Sequence, residues 1–90
     1  MIRLHLPRDL AERFDVTDTF DLTAGGMEEA VRALEAQHPG LAHWLTEADG
    51  SFRQHLAVFV DGVRLQGAEA GHAPLKSGAE VWVLRAVSGG

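Results

Sequence analysis

Apolar and polar residues alternate at the start of the chain, where Ile2, Leu4 and Leu6 are separated by polar side chains. This period of two predicts a strand with one buried face. Residues 19–23 alternate in the same way and predict a second strand. The polar stretch 7–18 lies between them and predicts a loop, so the two strands should form a hairpin.

A helical period replaces the alternation after Gly25-Gly26. The apolar face predicted for this helix, over residues 27–38, consists of Met27, Ala30, Val31, Leu34 and His38. Pro39-Gly40 should end the helix, because proline disfavours helical geometry in the residue before it. Residues 41–45 could add a short extra turn.

The second half of the chain returns to strand patterns. Residues 56–60 predict a strand, and Asp61-Gly62 predicts a tight turn into a short strand over 63–65. A loop rich in glycine and alanine should then run to Pro74, before a last strand over 80–85. The order of these elements favours an α+β domain over residues 1–85, with one main helix packed on one face of a mixed sheet of four to five strands.

Composition supports one globular domain. The chain of 90 residues is 46% apolar and 23% charged, and it contains no cysteine. A net charge of −5 with scattered arginines argues against nucleic-acid binding. No segment approaches the roughly 20 apolar residues that span a bilayer, and the N-terminus does not resemble a signal peptide. We therefore expect a cytoplasmic protein that binds neither nucleic acid nor membrane.

The most informative residues are Gly89 and Gly90. With residues 86–88 they carry no apolar pattern, and we expect them to form a flexible tail beyond the last strand. Five extended residues reach at most about 18 Å. A glycine tail of this length could enter a narrow channel in another protein while the folded body remains outside.

The chemistry available to such a tail is that of its α-carboxylate. This group is ionised in the cell and is a poor electrophile. Reaction with ATP would convert it to a mixed anhydride, and a sulfur nucleophile could then give a thiocarboxylate. The chain has no thiol and no phosphate-binding glycine loop with its lysine. It would therefore be the substrate of these steps and not their catalyst.

Five segments between Leu34 and Gly90 carry a resemblance to a known family. In order, they are His38-Pro39-Gly40-Leu41, Asp49-Gly50, Val58-Phe59-Val60-Asp61-Gly62, Pro74-Leu75-Lys76-Ser77-Gly78-Ala79-Glu80-Val81 and Ala86-Val87-Ser88-Gly89-Gly90. In these segments the chain resembles the MoaD/ThiS family of ubiquitin-like sulfur carriers, which have the β-grasp fold. Two segments depart from the family pattern: Ser88 stands where alanine is more usual, and Gly71-His72-Ala73 replaces a more acidic loop.

The resemblance implies a pathway of sulfur transfer. A partner of the ubiquitin-activating type would consume ATP to adenylate Gly90, and a sulfur donor would convert the adenylate to a thiocarboxylate. An acceptor enzyme would use the sulfur for molybdopterin, cysteine, thiamine or transfer RNA. Gly89 would keep the tail thin, and no cofactor would be bound stably. The chain would not be an enzyme by itself, although it could be the small subunit of a heteromeric synthase.

Strand alternation predicts a docking surface beside the tail. If Val81 and Val83 face the core, Trp82 and Leu84 face outward, and the same logic turns Phe59 outward. Together with Val87 in the tail, these residues would contact a partner. The alternative is that Leu41, Trp44, Leu45 or a loop folds over the patch and buries it.

Other candidate residues have simpler interpretations. The five histidines, His5, His38, His43, His55 and His72, lack the spacing of a metal site and should be surface or packing residues. Glu28 and Glu29 should complement the helix dipole and not act as a general-base pair. Glu80 and Lys76 should be solvated.

Two other functions remain open. A protein modifier would join Gly90 to lysines of its targets, and a β-grasp binding module would not use its tail.

Overall fold

The computed structural model describes residues 1–86, which form five strands and four helices. In chain order they are β1 (Ile2–His5), α1 (Arg8–Arg13), β2 (Thr19–Leu22), α2 (Met27–Gln37), α3 (Leu41–Leu45), β3 (Leu56–Val60), β4 (Val63–Leu65), α4 (Gly67–Gly71) and β5 (Glu80–Arg85). The predicted tail residues Val87, Gly89 and Gly90 lie outside the described residues.

All five strands belong to one mixed sheet with the order β2-β1-β5-β3-β4. β1 pairs with β2 in the predicted antiparallel hairpin. β1 also pairs in parallel with β5, so the first and last strands lie side by side at the centre of the sheet. β3 pairs antiparallel with both β5 and β4. The parallel pairing of β1 and β5 agrees with the β-grasp fold that the resemblance implies.

α2 lies against one face of the sheet, which we call the inner face. The residues that it buries are Met27, Ala30, Val31 and Leu34. The Met27 N–H donates to the Ala73 carbonyl over 2.8 Å, which satisfies one of the unpaired donors at the start of the helix. The helix ends at Gln37, one residue before the predicted end, and Gly40 takes a left-handed φ of 99° before α3 begins.

The hydrophobic core lies between α2 and the inner face. Its largest fully buried side chains are Ile2, Leu4, Met27, Leu34, Leu41, Leu45, Val58, Val81 and Val83. No charged or polar residue among positions 1–86 is buried. The core therefore carries no cost for desolvated charge.

The predicted loop over residues 7–18 is wrong in its first half, which forms α1. Leu10 and Ala11 are buried, and the helix begins directly after Pro7. Six residues are too few to show a helical period in the sequence, because they complete fewer than two turns.

The glycine- and alanine-rich loop before Pro74 also contains a helix, α4, which the sequence did not predict. Ala70 and Gly71 are buried. A Cβ built on Gly71 would lie 1.9 Å from the Gly50 carbonyl oxygen. Glycine is thus required here for a close approach of two backbones, a contact that only the tertiary structure reveals.

The tight turn between β3 and β4 is confirmed. Asp61 and Gly62 have φ values of 49° and 85°. Two consecutive positive φ angles are typical of the turn type that suits the twist of a two-residue hairpin.

No helix within residues 1–86 combines the length and the apolar character needed to cross a membrane.

Candidate functional site

The outer face of the sheet, opposite α2, carries the candidate site. In β5, Val81 and Val83 are fully buried on the inner face, whereas Trp82 and Leu84 are 42% and 41% exposed. The alternation of strand side chains therefore places the two large apolar residues outward, as the sequence predicts.

Phe59 in β3 lies directly opposite Trp82 in the antiparallel ladder, so the two side chains share the outer face. Phe59 is half-buried, and its neighbour Val58 points into the core at 1% exposure. The face of Phe59 agrees with the prediction, while its exposure is intermediate.

Leu41, Trp44 and Leu45 do not cover Trp82 and Leu84 in the structure, contrary to the alternative prediction. Leu41 and Leu45 of α3 are fully buried in the core. Trp44 packs against the same core, and the Arg13 guanidinium lies 4.1 Å from its ring centre. These three residues belong to the inner side of the sheet and leave the outer face open.

One row of side chains crosses the outer face from edge to edge. From β4 to β2 its members are Arg64, Phe59, Trp82, His5 and Thr19. We call this set the outer-face row. It places an arginine, two aromatic rings and an imidazole side by side on adjacent strands.

His5 was predicted only as a surface or packing residue, and like Arg64 and Thr19 it was not assigned to the docking surface. Its ring is stacked on Trp82 with centres 3.6 Å apart and planes 9° apart. Its Nε2 lies 2.8 Å from a Glu80 carboxylate oxygen, and its Nδ1 lies 3.3 Å from the Thr19 hydroxyl. Only 13% of the His5 side chain is exposed.

Alternation in β1 predicts the outward direction of His5. The contact with Trp82 depends on the register between β1 and β5, which the sequence does not reveal. Glu80 was predicted to be solvated; it is exposed, and it also accepts this hydrogen bond.

Two ion pairs lie at the ends of β5. Arg3 donates to Asp21 over 3.0 Å near the start of β5. At the other end of the strand, Arg85 donates to Asp9 over 2.6 Å, and this hydrogen bond lowers the pKa of the Asp9 carboxyl. Arg3 shares the outer face with His5, whereas alternation places Arg85 on the inner side, so only the first pair borders the outer-face row.

The described chain leaves the sheet next to Leu84. The Ala86 N–H still donates to the His55 carbonyl over 2.8 Å, so backbone pairing continues one residue past β5. Leu84 and Trp82 thus lie within four residues of this exit on the exposed face. Gly89, Gly90 and Val87 follow beyond the part of the chain that the structure describes.

The remaining histidines occupy separate places. His38 packs edge-on against Phe20 with ring centres 5.7 Å apart, and His43 packs edge-on against Trp44. His72 makes a 2.8 Å contact with Glu28. Within residues 1–86, no three His, Asp or Glu side chains lie close enough together to hold a metal ion.

The other charged candidates lie away from the outer-face row. Glu28 and Glu29 occupy the first turn of α2, and Glu29 accepts a hydrogen bond from the Gly25 N–H over 3.2 Å. Lys76 is exposed in the turn that precedes β5. These contacts are those of ordinary surface residues.

A mixed five-stranded sheet with parallel central strands and one main helix across its inner face defines the β-grasp, or ubiquitin-like, fold. The class of protein is therefore a small ubiquitin-like domain.

The chain matches the model of the ThiS family over residues 8–90. It belongs to this family of ubiquitin-like sulfur carriers.

Solved structures agree with this fold. CysO from Mycobacterium tuberculosis superposes with a TM-score of 0.84 at 16% identity, covering 97% of this chain and 100% of that one. A chain of the Amycolatopsis orientalis BexX/CysO complex gives a TM-score of 0.80 at 18% identity, with both chains fully covered. SAMP1 from Haloferax volcanii gives a TM-score of 0.66 at 28% identity, covering 99% of this chain and 98% of that one. A comparison with curated proteins gave no match.

Proposed function

We propose that this protein carries sulfur on the carboxylate of Gly90. The observation that carries the proposal is the position of Gly89-Gly90 four and five residues after the end of β5, whose outer side presents Trp82 and Leu84 at about 40% exposure. Membership of the ThiS family supports the same function. A folded body with a binding face beside a thin tail suits a protein that another catalyst loads.

The proposed loading has two steps. A carboxylate oxygen of Gly90 attacks the α-phosphate of ATP, pyrophosphate leaves, and a mixed anhydride with AMP forms. Hydrosulfide then attacks the carbonyl carbon, the bond to AMP breaks, and the thioacid that forms releases its proton to water and remains as a thiocarboxylate. No oxidant or reductant is needed when hydrosulfide is the donor.

The catalyst of both steps is a partner in this proposal. The chain contains no cysteine that could act as a nucleophile and no glycine loop of the type that binds ATP phosphates. An adenylating enzyme of the ubiquitin-activating type would supply the ATP site. Small carriers of the ThiS and CysO type are generally not enzymes themselves. A need for ATP also suits the expected cytoplasmic location.

We further propose that this partner docks on the outer face through Phe59, Trp82 and Leu84, with Val87 in the tail as an additional contact. Exposed aromatic side chains are frequent anchors of protein interfaces, since they bury a large area with few rotatable bonds. Docking on this face would fix the body while the tail enters the active site.

A protein modifier is the second candidate, and the similarity to SAMP1, described as a small archaeal modifier protein, favours keeping it. In this alternative the adenylate of Gly90 passes to an amine of a target protein. Antibody blots would show a ladder of conjugates for a modifier and a single free species for a carrier.

The pathway that receives the sulfur is a narrower proposal. Cysteine and molybdopterin synthesis agree best with the segment from Asp49 to Gly62, and thiamine synthesis and transfer-RNA thiolation are the alternatives. In some of these pathways the chain would stay bound as the small subunit of a heteromeric synthase.

Exchange of pyrophosphate into ATP tests the first step. The assay uses the full chain and the ubiquitin-activating-type enzyme of the same organism. We expect exchange that depends on the carrier and is lost when Gly90 is deleted. Equal exchange with the truncated chain would reject the role of Gly90 and favour a binding module that does not use its tail.

A further inference from the structure

His5 is held in one orientation by contacts with both neighbouring strands, β5 and β2. Its ring stacks on Trp82 in β5 at 3.6 Å, and both ring nitrogens have polar partners. Nε2 faces Glu80, also in β5, and Nδ1 faces Thr19 in β2. Because a carboxylate can only accept a hydrogen bond, the Nε2–H group of His5 must be the donor in the hydrogen bond to Glu80.

The two polar contacts determine the plane of the imidazole. A ring with hydrogen bonds at both nitrogens cannot rotate about its Cβ–Cγ bond without losing both. The Thr19 hydroxyl also lies 3.1 Å from a carboxylate oxygen of Asp18, so its single hydrogen is shared between that oxygen and Nδ1 of His5 and is donated to one of them at a time. The side chain of His5 is only 13% exposed, so little of its surface remains for a partner to contact directly.

Trp82 differs from His5 in its surroundings. It is 42% exposed, and no hydrogen bond involving its side chain is present within residues 1–86. The stacked imidazole is therefore its main support on the side of β1. An exposed aromatic side chain that is already fixed loses less conformational freedom when a partner binds.

We infer that His5 is a positioning residue that holds Trp82 in the orientation used for docking. This inference rests on the proposed docking of an adenylating partner on the outer face. His5 would act through Trp82, and the network of Glu80 and Thr19 would act through His5.

The first test measures the order of the Trp82 side chain in the free protein. Nuclear relaxation of the indole Nε1–H group reports motion separately for the two tryptophans, so Trp44 is an internal control. We expect His5→Ala to lower the order parameter of Trp82 and to leave that of Trp44 unchanged. An unchanged order parameter for Trp82 would overturn the inference.

A second variant keeps the test valid if His5→Ala does not fold. Thr19→Val combined with Glu80→Ala removes both hydrogen bonds and retains the imidazole. Neither residue is buried, so the core is unchanged. We expect this double variant to lower the order parameter of Trp82 as well, by less than His5→Ala does.

The second test measures adenylation at varied concentrations of the carrier. We expect His5→Ala to raise KM by roughly 3- to 10-fold, the effect of one side chain that must be immobilised on binding, with kcat unchanged. In a protein that already carries Trp82→Ala, adding His5→Ala should alter KM less than about 2-fold, because the effects of two substitutions that act through one contact do not add. Full additivity of the two substitutions would overturn the inference.

The two tests separate failure of the inference from failure of the proposed function. If wild-type protein is never adenylated, the proposed function fails and the docking role of His5 fails with it, while the relaxation data still decide whether His5 orders Trp82. Suppose that adenylation occurs, that Trp82→Ala raises KM and that His5→Ala leaves KM unchanged. This result rejects the positioning role of His5 and keeps the proposed function.

Discussion

Replacing Trp82 by alanine should weaken docking of the adenylating partner as well as the fold. The exposed 42% of Trp82 corresponds to roughly 100 Å² of a side chain that can bury about 250 Å². At about 25 cal/mol per Å², covering this surface contributes up to about 2.5 kcal/mol. Binding does not recover all of this energy, so we expect KM for the adenylating partner to rise by roughly 10- to 70-fold.

The neighbouring residue gives the matched comparison for stability. Val83 is fully buried, and Val83→Ala should lower the free energy of unfolding by about 1.5–3 kcal/mol through lost burial and a small cavity. Trp82→Ala loses the unexposed part of the side chain, roughly 150 Å² and up to about 3.5 kcal/mol by the same arithmetic, together with the stack on His5. Denaturant unfolding and adenylation kinetics on both variants separate the two effects.

Val63 provides a control for exposed apolar surface elsewhere. It is 61% exposed, and alternation in β4 directs it away from the face that Arg64 shares with Phe59. Val63→Ala should leave KM unchanged. An unaltered KM for Trp82→Ala, or an equal rise for Val63→Ala, would refute the assignment of the outer face as the docking surface.

Two further predictions concern the fold. Gly71→Ala should lower the melting temperature strongly, because the new Cβ would lie 1.9 Å from the Gly50 carbonyl oxygen. Gly25→Ala is the matched control, since its Cβ would have no contact below 3.4 Å. Equal melting temperatures for the two variants would contradict the close approach of the two backbones. Hydrogen bonds from the Gly40 N–H and a second backbone N–H at the start of α3 lower the pKa of Glu35 from its ordinary value of 4.5. These hydrogen bonds to the ionised Glu35 carboxylate stabilise the fold at pH values above 4.5, and the stabilisation is lost as the pH falls through the lowered pKa of the folded protein. Glu35→Gln should therefore unfold more easily at neutral pH and approach the wild type in acid, and parallel stability curves in acid titrations would contradict this assignment.

The main elements of the fold could be predicted where the sequence has a clear period. Alternation around Val81 and Val83 predicted both the last strand and the outward direction of Trp82. The helical spacing of Met27 and Leu34 predicted α2. These patterns are local, so they can be read before the strands are paired.

The elements that the sequence did not predict depend on tertiary contacts. α4 contains only Glu69 besides glycine and alanine, so it has no apolar period, and its position becomes understandable only from the contact between Gly71 and Gly50. The stack of His5 on Trp82 depends on a parallel register between residues far apart in the chain. Neither contact has a signature in a single sequence.

The most direct test of the proposed function is the intact mass of the protein after incubation with ATP, hydrosulfide and the adenylating enzyme. The wild-type chain should gain the mass that corresponds to exchange of one carboxylate oxygen for sulfur. Variants that lack Gly90, or that carry an added residue after it, should show no gain. A wild-type chain that never gains this mass, or a truncated chain that gains it equally, would contradict the assignment of Gly90 as the sulfur-carrying residue.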